Sequence, residues 1–311
     1  MKTILNVVTL VTALALALLL AACSGSDSSS SSVVVSGGVP IAYAKRVNTI
    51  STNPTNGAPT APGGDLIIRE VASASAIEHN ITAPFTQGNG DVNSLDVSYD
   101  GNKIVFAMRC PTSNTSTIAG KPACTGRFNI WEYDMTTGGL TGGSFRQITN
   151  STTADDVEPT YLPGGAGFVF TSNRQTESSG NSVLGHPYQA LGHSYFALDE
   201  YERERVFNLH TMDNGGGSIT QISFNQSHDR SPVVRPNGVI MFSRWDHLAG
   251  RNHFKVFTVN PDGTGLFVLY GAHSDGNSFL HPRDRSANLS RTGGSDYPFV
   301  FIKCQAGGIP G

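Results

Sequence analysis

A repeated pattern of short apolar strands and glycine-containing turns constrains the fold of this chain more than any other feature. Each copy opens with a strand, a turn in which Gly stands with Asp, Pro or Asn, and a second, strongly apolar strand. A third strand that starts with Phe and a short closing strand complete the copy. The interval is regular, since 47 residues separate Phe207 from Phe254 and also Ile222 from Leu269.

The opening strand pair recurs three times, at residues 97–106, 159–170 and 232–242. Four short strands in each unit of ~45 residues are typical of a propeller blade. The apolar runs are continuous, which fits sheets covered on both faces by neighbouring blades. The sequence therefore predicts an all-β fold, a β-propeller of four-stranded antiparallel blades, with about four to five blades present in an incomplete ring. A β-sandwich is the alternative, although it needs no fixed repeat.

Two insertions lengthen the repeat between the second and third strands of successive blades, at residues 110–127 and 174–205. The second insertion contains four aromatic residues beside a charged run at 199–205. These are Tyr188, Tyr195, Phe196 and Tyr201. Because aromatic and arginine residues on loops favour interfaces, we expect them to form an interaction surface. The alternative is a loop that packs only on its own blade.

Cys110 and Cys124 flank the first insertion. In an oxidising compartment a disulfide across a loop of this size would stabilise the fold by about 3 kcal/mol. We predict this bridge; two free thiols are the alternative.

The N-terminus combines Lys2, the apolar residues 4–20 and the tetrapeptide Leu20-Ala21-Ala22-Cys23. The apolar stretch is too short, and its flanks too small and polar, for a spanning helix. The tetrapeptide resembles the bacterial lipobox, which implies a signal peptide at 1–22 and a lipid on Cys23. By the same resemblance, Ser24 after the cysteine favours the outer membrane over the inner one.

The remaining domain boundaries follow from composition and from the repeat. Residues 23–38 are Ser-rich and predict a flexible tether, and residues 39–284 carry the propeller repeats. Residues 285–311 match the repeat poorly, apart from 298–303. We expect a truncated or frame-shifted product there, with a small five-bladed ring completed by this segment as the alternative.

Residues 232–242 and 256–265 resemble the TolB-type, WD40-like propeller repeat. More narrowly, residues 242–247, 257–265 and 269–271 resemble the middle domain of hydrazine synthase alpha-subunit-like proteins, in which a propeller is flanked by haem-bearing regions. The resemblance implies the fold and an exported protein. It does not carry over the haem, because none of the four cysteines begins the C-x-x-C-H pattern of a c-type haem site.

Charge and histidine placement exclude several functions. The chain has 21 Lys and Arg against 24 Asp and Glu, without a basic cluster, so no nucleic-acid partner is expected. Eight of the nine histidines lie between 186 and 281, but without the short spacing of metal ligands; we interpret them as hydrogen-bonded loop residues. They are His186, His193, His210, His228, His247, His253, His273 and His281.

No catalytic set, metal or cofactor is therefore predicted. The leading hypothesis is a lipid-anchored, non-enzymatic binding or scaffold propeller in the cell envelope, with an envelope protein as its partner. The alternative is the propeller part of an exported haem enzyme whose haem region is missing here. A weaker third hypothesis is a sugar or peptide hydrolase on the ring face, which would need a pair of carboxylates at a suitable separation.

Overall fold

A computed structural model describes residues 38–47, 53–174, 199, 204–248, 251–274, 276–284 and 299–305. They form five successive antiparallel sheets, which we call blades 1 to 5, and almost no helix. Within each blade the strands pair in chain order. Blades 2, 3 and 4 each have four strands, whereas three strands are described for blade 1 and two for blade 5.

The strands of blades 1 and 2 lie in the first half of the chain, with a small inserted hairpin in blade 2. Blade 1 contains β1 (Ile41–Lys45), β2 (Asp65–Arg69) and β3 (His79–Asn80), followed by the short helix α1 (Ala83–Thr86). Blade 2 contains β4 (Asp91–Val97), β5 (Lys103–Arg109), the hairpin of β6 (Thr117–Ile118) and β7 (Lys121–Pro122), β8 (Phe128–Asp134) and β9 (Ser144–Gln147).

Blades 3 to 5 repeat the arrangement. Blade 3 contains β10 (Asp156–Tyr161), β11 (Phe168–Ser172), β12 (Asn208–Met212) and β13 (Thr220–Gln221), with a 3₁₀ turn at Pro163–Gly165. Blade 4 contains β14 (Asp229–Val234), β15 (Ile240–Leu248), β16 (Arg251–Val259) and β17 (Phe267–Tyr270). Blade 5 contains β18 (Asn277–Asp284) and β19 (Phe299–Gln305), so part of the segment after residue 284 pairs with the repeat.

The hydrophobic core lies between blades rather than inside any one of them. On β5, Phe106 packs in the cluster shared with blade 1, whereas its neighbour Val105 packs in the cluster shared with blade 3. On β11, Phe170 likewise faces blade 2 and Val169 faces blade 4. Because successive side chains of a strand point to opposite faces, both faces of each sheet are buried, which explains the continuous apolar runs.

In blades 1, 2 and 3 the outer strand is attached to its blade by a hydroxyl at an equivalent position. The backbone N–H of Ile130 donates to Thr149 Oγ1 at 2.9 Å, and that of Leu209 donates to Ser223 Oγ at 2.9 Å. In blade 1 the N–H of Leu66 donates to Thr82 Oγ1 at 3.0 Å. The shared bond shows that blade 1 is built on the same repeat, although the sequence there is less regular.

A second repeated hydrogen bond joins successive blades. In each case a backbone N–H near the start of a third strand donates a hydrogen bond to a side chain near the start of the first strand of the next blade. The bonds are Phe128 N–H to Asp155 Oδ1 at 2.9 Å, Phe207 N–H to His228 Nδ1 at 3.1 Å and Phe254 N–H to Ser278 Oγ at 3.0 Å. The acceptor differs in each blade, so this contact is not visible as a repeated letter in the sequence.

Candidate functional site

The first strands of blades 2 to 5, namely β4, β10, β14 and β18, contact one another in order and surround a common axis. Each one breaks its pairing register with the second strand at the same point. At that point the chain adopts a positive φ of 49° to 54°, at Ser94, Glu158, Ser231 and His281. Such bulges re-aim side chains, and left-handed backbone costs roughly 1–2 kcal/mol for a non-glycine residue.

The four bulges surround an axial cavity of about 120 Å³. Its lining comes from all four first strands: Ser94, Leu95, Asp96, Glu158, Pro159, Thr160, Ser231, Pro232, Val233, His281 and Arg283. We call this the axial cavity. Three bulge residues are followed by Pro, which lacks an N–H for the sheet ladder and is therefore tolerated at a bulge.

Glu158 and Arg230 form a buried ion pair on one wall of the cavity. Arg230 Nε and Nη2 donate to the two Glu158 oxygens at 3.1 and 3.0 Å. The N–H of Ser231 adds a bond of 2.7 Å. Desolvation alone would raise the pKa of Glu158, but the charge and hydrogen bonds of Arg230 win and lower it to about 2. Glu158 is therefore a fixed anion rather than a proton donor.

Arg230 also connects the axial cavity to the connection between β1 and β2. Its Nη1 donates to the carbonyl oxygens of Asn56 and Gly57 at 3.0 and 2.6 Å. A side chain at Gly57 would collide with Phe207, since an added Cβ would lie 2.2 Å from its ring. Glycine is thus needed where this connection crosses from blade 1 to blades 3 and 4.

Ser231 links Glu158 to His281 in the wall of the cavity. The Ser231 hydroxyl lies 3.3 Å from Glu158 Oε1, which can only accept, and 2.9 Å from His281 Nδ1. Because the hydroxyl has one proton, it donates either to Glu158 or to His281 Nδ1, and the tautomer of the ring follows from that choice. Desolvation lowers the pKa of His281, Glu158 opposes that shift and Arg283 adds to it.

Serine, histidine and glutamate meet here, but not in the order of a hydrolase triad. In a triad the carboxylate binds the histidine nitrogen that does not face the serine. Here Glu158 and His281 both contact the same hydroxyl. Glu158 therefore does not orient the imidazole as the carboxylate of a triad does, and the geometry supports binding rather than nucleophilic catalysis at this cavity.

A second polar cluster, of Asp199, Glu204 and His228, has ligand atoms within 4.8 Å of one another. Its hydrogen bonds do not suit a metal ion. Nδ1 of His228 accepts from Phe207 N–H, so the neutral ring carries its proton on Nε2, the atom that faces Glu204 Oε1 at 3.6 Å. Glu204 Oε1 in turn accepts from Gly57 N–H at 2.6 Å. Glu204 therefore links Gly57, in the connection between β1 and β2, to His228, which directly precedes blade 4.

Of the site residues predicted from the sequence, only the two cysteines of the first insertion lie within the described structure. Cys110 and Cys124 are joined by a disulfide bond and lie in the core shared by blades 1 and 2. Cys23 and the four aromatic residues Tyr188, Tyr195, Phe196 and Tyr201 lie outside the described residues. The expectation of loop histidines is wrong for His210, His247, His253 and His281, which lie within strands. His210 is buried there, and desolvation lowers its pKa to about 3.

The axial residues Asp96, Glu158, Ser231 and Arg283 were not singled out from the sequence. One signal for them was available: Glu158-Pro159, Ser231-Pro232 and His281-Pro282 are equivalent polar-proline pairs in the first strands of three blades. A proline within an apparent strand indicates a bulge or an edge. Its repetition next to a polar residue would have pointed to the axis.

Comparisons with known proteins support the fold. No protein-family model matches the sequence, and a search of curated proteins finds no match. Among solved structures, hydrazine synthase from Kuenenia stuttgartiensis matches with a TM-score of 0.56 and 15% sequence identity, over 79% of this chain and 34% of that chain. The chain has a β-propeller fold. It spans about a third of the length of the hydrazine synthase chain.

Two TolB structures also match at 15% identity. TolB from Agrobacterium tumefaciens has a TM-score of 0.47 over 81% of this chain and 67% of that chain. TolB from Acinetobacter baumannii has a TM-score of 0.37 over 70% and 40%. The predicted resemblance and the predicted fold of four-stranded antiparallel blades are confirmed, and the sheets formed by the described residues do not close into a ring. Among the described residues, none forms a helix long and apolar enough to cross a membrane.

Proposed function

We propose that this chain is an exported lipoprotein whose propeller is tethered through Cys23 and binds a protein partner of the cell envelope. The three longest connections between strands support the proposal. They join β1 to β2, β5 to β8, and β11 to β12, always between the second and third strands of the repeat. Equivalent connections in successive blades lie at the same end of a propeller, so all three insertions start and end on the same surface of the propeller, which we call the insertion surface.

The absence of a triad order around Ser231 and the ionised state of Glu158 support binding over hydrolysis at the axis. The insertion surface supports a protein partner, since the connection between β11 and β12 contains Tyr188, Tyr195, Phe196 and Tyr201. Aromatic side chains of this kind dominate the energetics of protein interfaces.

Site-specific photo-crosslinking tests the partner surface. A photoreactive residue at Tyr195 is expected to give a discrete adduct with an envelope protein in intact cells. The matched control is Val97, an exposed residue next to the turn between β4 and β5, at the opposite end of the blades. Failure to obtain an adduct from the insertion, or equal adducts from both positions, would contradict the proposed surface.

The anchor is tested separately. Metabolic labelling with a fatty acid is expected to mark the wild-type chain, and Cys23→Ser is expected to lose both the label and recovery with the membrane fraction. A single cysteine with several acyl chains gives a durable anchor because each buried methylene contributes ~0.8 kcal/mol. Labelling that persists in the variant would contradict lipidation at this residue.

A second candidate function is the propeller part of an exported haem enzyme, favoured by the structural match to hydrazine synthase. It predicts that the gene continues into a region with C-x-x-C-H. Haem staining of the native envelope protein, together with the downstream gene sequence in all three frames, distinguishes this function from a scaffold. If the protein contains no haem and the downstream sequence contains no such motif, this candidate function is eliminated.

A further inference from the structure

Two opposite charges of the axial cavity have no ion-pair partner among the described residues: the carboxylate of Asp96 on β4 and the guanidinium of Arg283 on β18. The carboxylate of Glu158, which also lines the cavity, is neutralised by Arg230 at 3.0 Å. The cavity therefore carries one unpaired charge of each sign, on strands separated around the axis by β10 and β14.

Both Asp96 and Arg283 retain hydrogen-bonding capacity that a ligand could use. Asp96 Oδ2 accepts from the Thr160 hydroxyl at 2.6 Å and from Tyr161 N–H at 3.0 Å. Its other oxygen keeps its acceptor capacity. Arg283 uses Nη1 to donate to the carbonyl of Pro282 at 2.9 Å, which leaves most of its five N–H donors available.

The two charged groups suit two different ends of a ligand. The carboxylate of Asp96 suits an ammonium group, which has three donors and no acceptor. The guanidinium of Arg283 suits a carboxylate, which it can bind with two parallel hydrogen bonds.

We propose that the axial cavity binds a small zwitterion that carries an ammonium and a carboxylate group, such as an α-amino acid with a short side chain. A zwitterion satisfies both groups at once, whereas a ligand with a single charge leaves either Asp96 or Arg283 without a counter-charge. The volume of about 120 Å³ admits only a small molecule, since one water occupies ~30 Å³ in the liquid.

This inference goes beyond partner binding, since the cavity and the insertion surface are formed by different residues. Titration calorimetry of the full chain with L-alanine, acetate and ethylamine is the test. We expect L-alanine to bind at least tenfold more tightly than either single-charge probe. No binding of L-alanine, or binding of one single-charge probe as tight as that of L-alanine, would overturn the proposal.

Substitutions assign the two ends of the ligand. Asp96→Asn retains an oxygen for Thr160 and Tyr161 but removes the charge, and Arg283→Gln removes the guanidinium. Each is expected to weaken L-alanine binding at least tenfold, whereas the matched controls Asp262→Asn and Lys121→Gln, on exposed turn and hairpin positions, leave it unchanged. Circular dichroism checks that the variants fold. Unchanged affinity in a folded Asp96→Asn or Arg283→Gln variant contradicts the assignment. Because the photo-crosslinking at Tyr195 is independent of these groups, the two proposals can fail separately.

Discussion

At the scale of single residues, Glu158 combines two costs that only its neighbours can offset. Its backbone is left-handed at a φ of 54°, and its carboxylate is buried. Arg230 supplies two hydrogen bonds and the opposite charge, and Ser231 supplies a third hydrogen bond. Since Arg230 also holds Asn56 and Gly57, this one ion pair ties together blades 1, 3 and 4.

Glu158→Gln is expected to lower the free energy of unfolding at pH 7 by about 3 kcal/mol, because it leaves the buried Arg230 without its counter-charge. The pKa of Glu158 is 4.5 in the unfolded chain and about 2 in the fold. Its contribution is therefore complete above pH 4.5 and is lost as the pH falls towards 2. The difference between wild type and variant should shrink over that range, as measured by urea unfolding at a series of pH values.

Glu70→Gln is the control, because the Glu70 side chain is 69% exposed. Its free energy of unfolding should stay within about 0.5 kcal/mol of wild type, as for most surface substitutions. A Glu158→Gln effect that is the same at pH 3 and pH 7 would contradict the buried ion pair.

At the scale of secondary-structure elements, the outer strands of blades 1 to 3 are each reinforced by one side-chain hydrogen bond at an equivalent position. The outer strands β3 and β13 contain only two residues, so their ladders are short. A hydroxyl just after the outer strand extends the ladder by accepting an N–H from the third strand, through Thr82 in blade 1, Thr149 in blade 2 and Ser223 in blade 3. The repeat thus preserves a bond and not a fixed residue type.

Thr149→Val keeps the shape of the side chain but leaves the buried N–H of Ile130 without its acceptor. We expect a loss of about 1–3 kcal/mol in the free energy of unfolding, the usual cost of an unsatisfied buried polar group. Thr153→Val is the matched control at an exposed position and should change little. Chemical denaturation of both variants measures the difference, and equal stabilities would show that the hydroxyl of Thr149 contributes nothing.

The insertion between β5 and β8 is held by the bond between Cys110 and Cys124. Replacing both cysteines with Ala is expected to lower the free energy of unfolding by about 3 kcal/mol, mainly through the freedom the loop gains in the unfolded chain. Intact mass before and after reduction checks the bond itself. If reduction adds no hydrogens to this pair, or if the double variant matches wild type in stability, the bridge does not have this role.

At the scale of the whole molecule, the sequence predicted what depends on local repetition and missed what depends on contacts between distant segments. The turns with Gly238 and Gly263, and the apolar runs between them, fixed the strands and the blade type. The first strand of each blade was harder to interpret. Its bulge and the polar residues beside it are set by partners 49 to 73 residues away, as for Glu158 with Ser231 and Arg235 with Asp284.

The same contrast applies to the candidate sites. The pairing of Cys110 with Cys124 depends on a short loop and could be argued from spacing, whereas the axial cavity needs residues from four blades. Spacing arguments fail for three buried aspartates, each of which stands at the start of a first strand and pairs with an arginine. These are Asp91, Asp156 and Asp229. Their arginines come from three non-equivalent places, Arg46, Arg174 and Arg244, so no single spacing reveals them.

Our central proposal is that the propeller is tethered to the envelope and binds an envelope partner through residues of its insertions. Affinity capture from solubilised envelopes tests it with three forms of the full chain. These are wild type, the fourfold variant of Tyr188, Tyr195, Phe196 and Tyr201 to Ala, and the control Tyr99→Ala, whose side chain is 69% exposed. We predict that wild type and the control recover the same envelope protein in a constant ratio, and that the fourfold variant recovers at least tenfold less. Equal recovery by all three forms, or no recovery by wild type, would contradict the account.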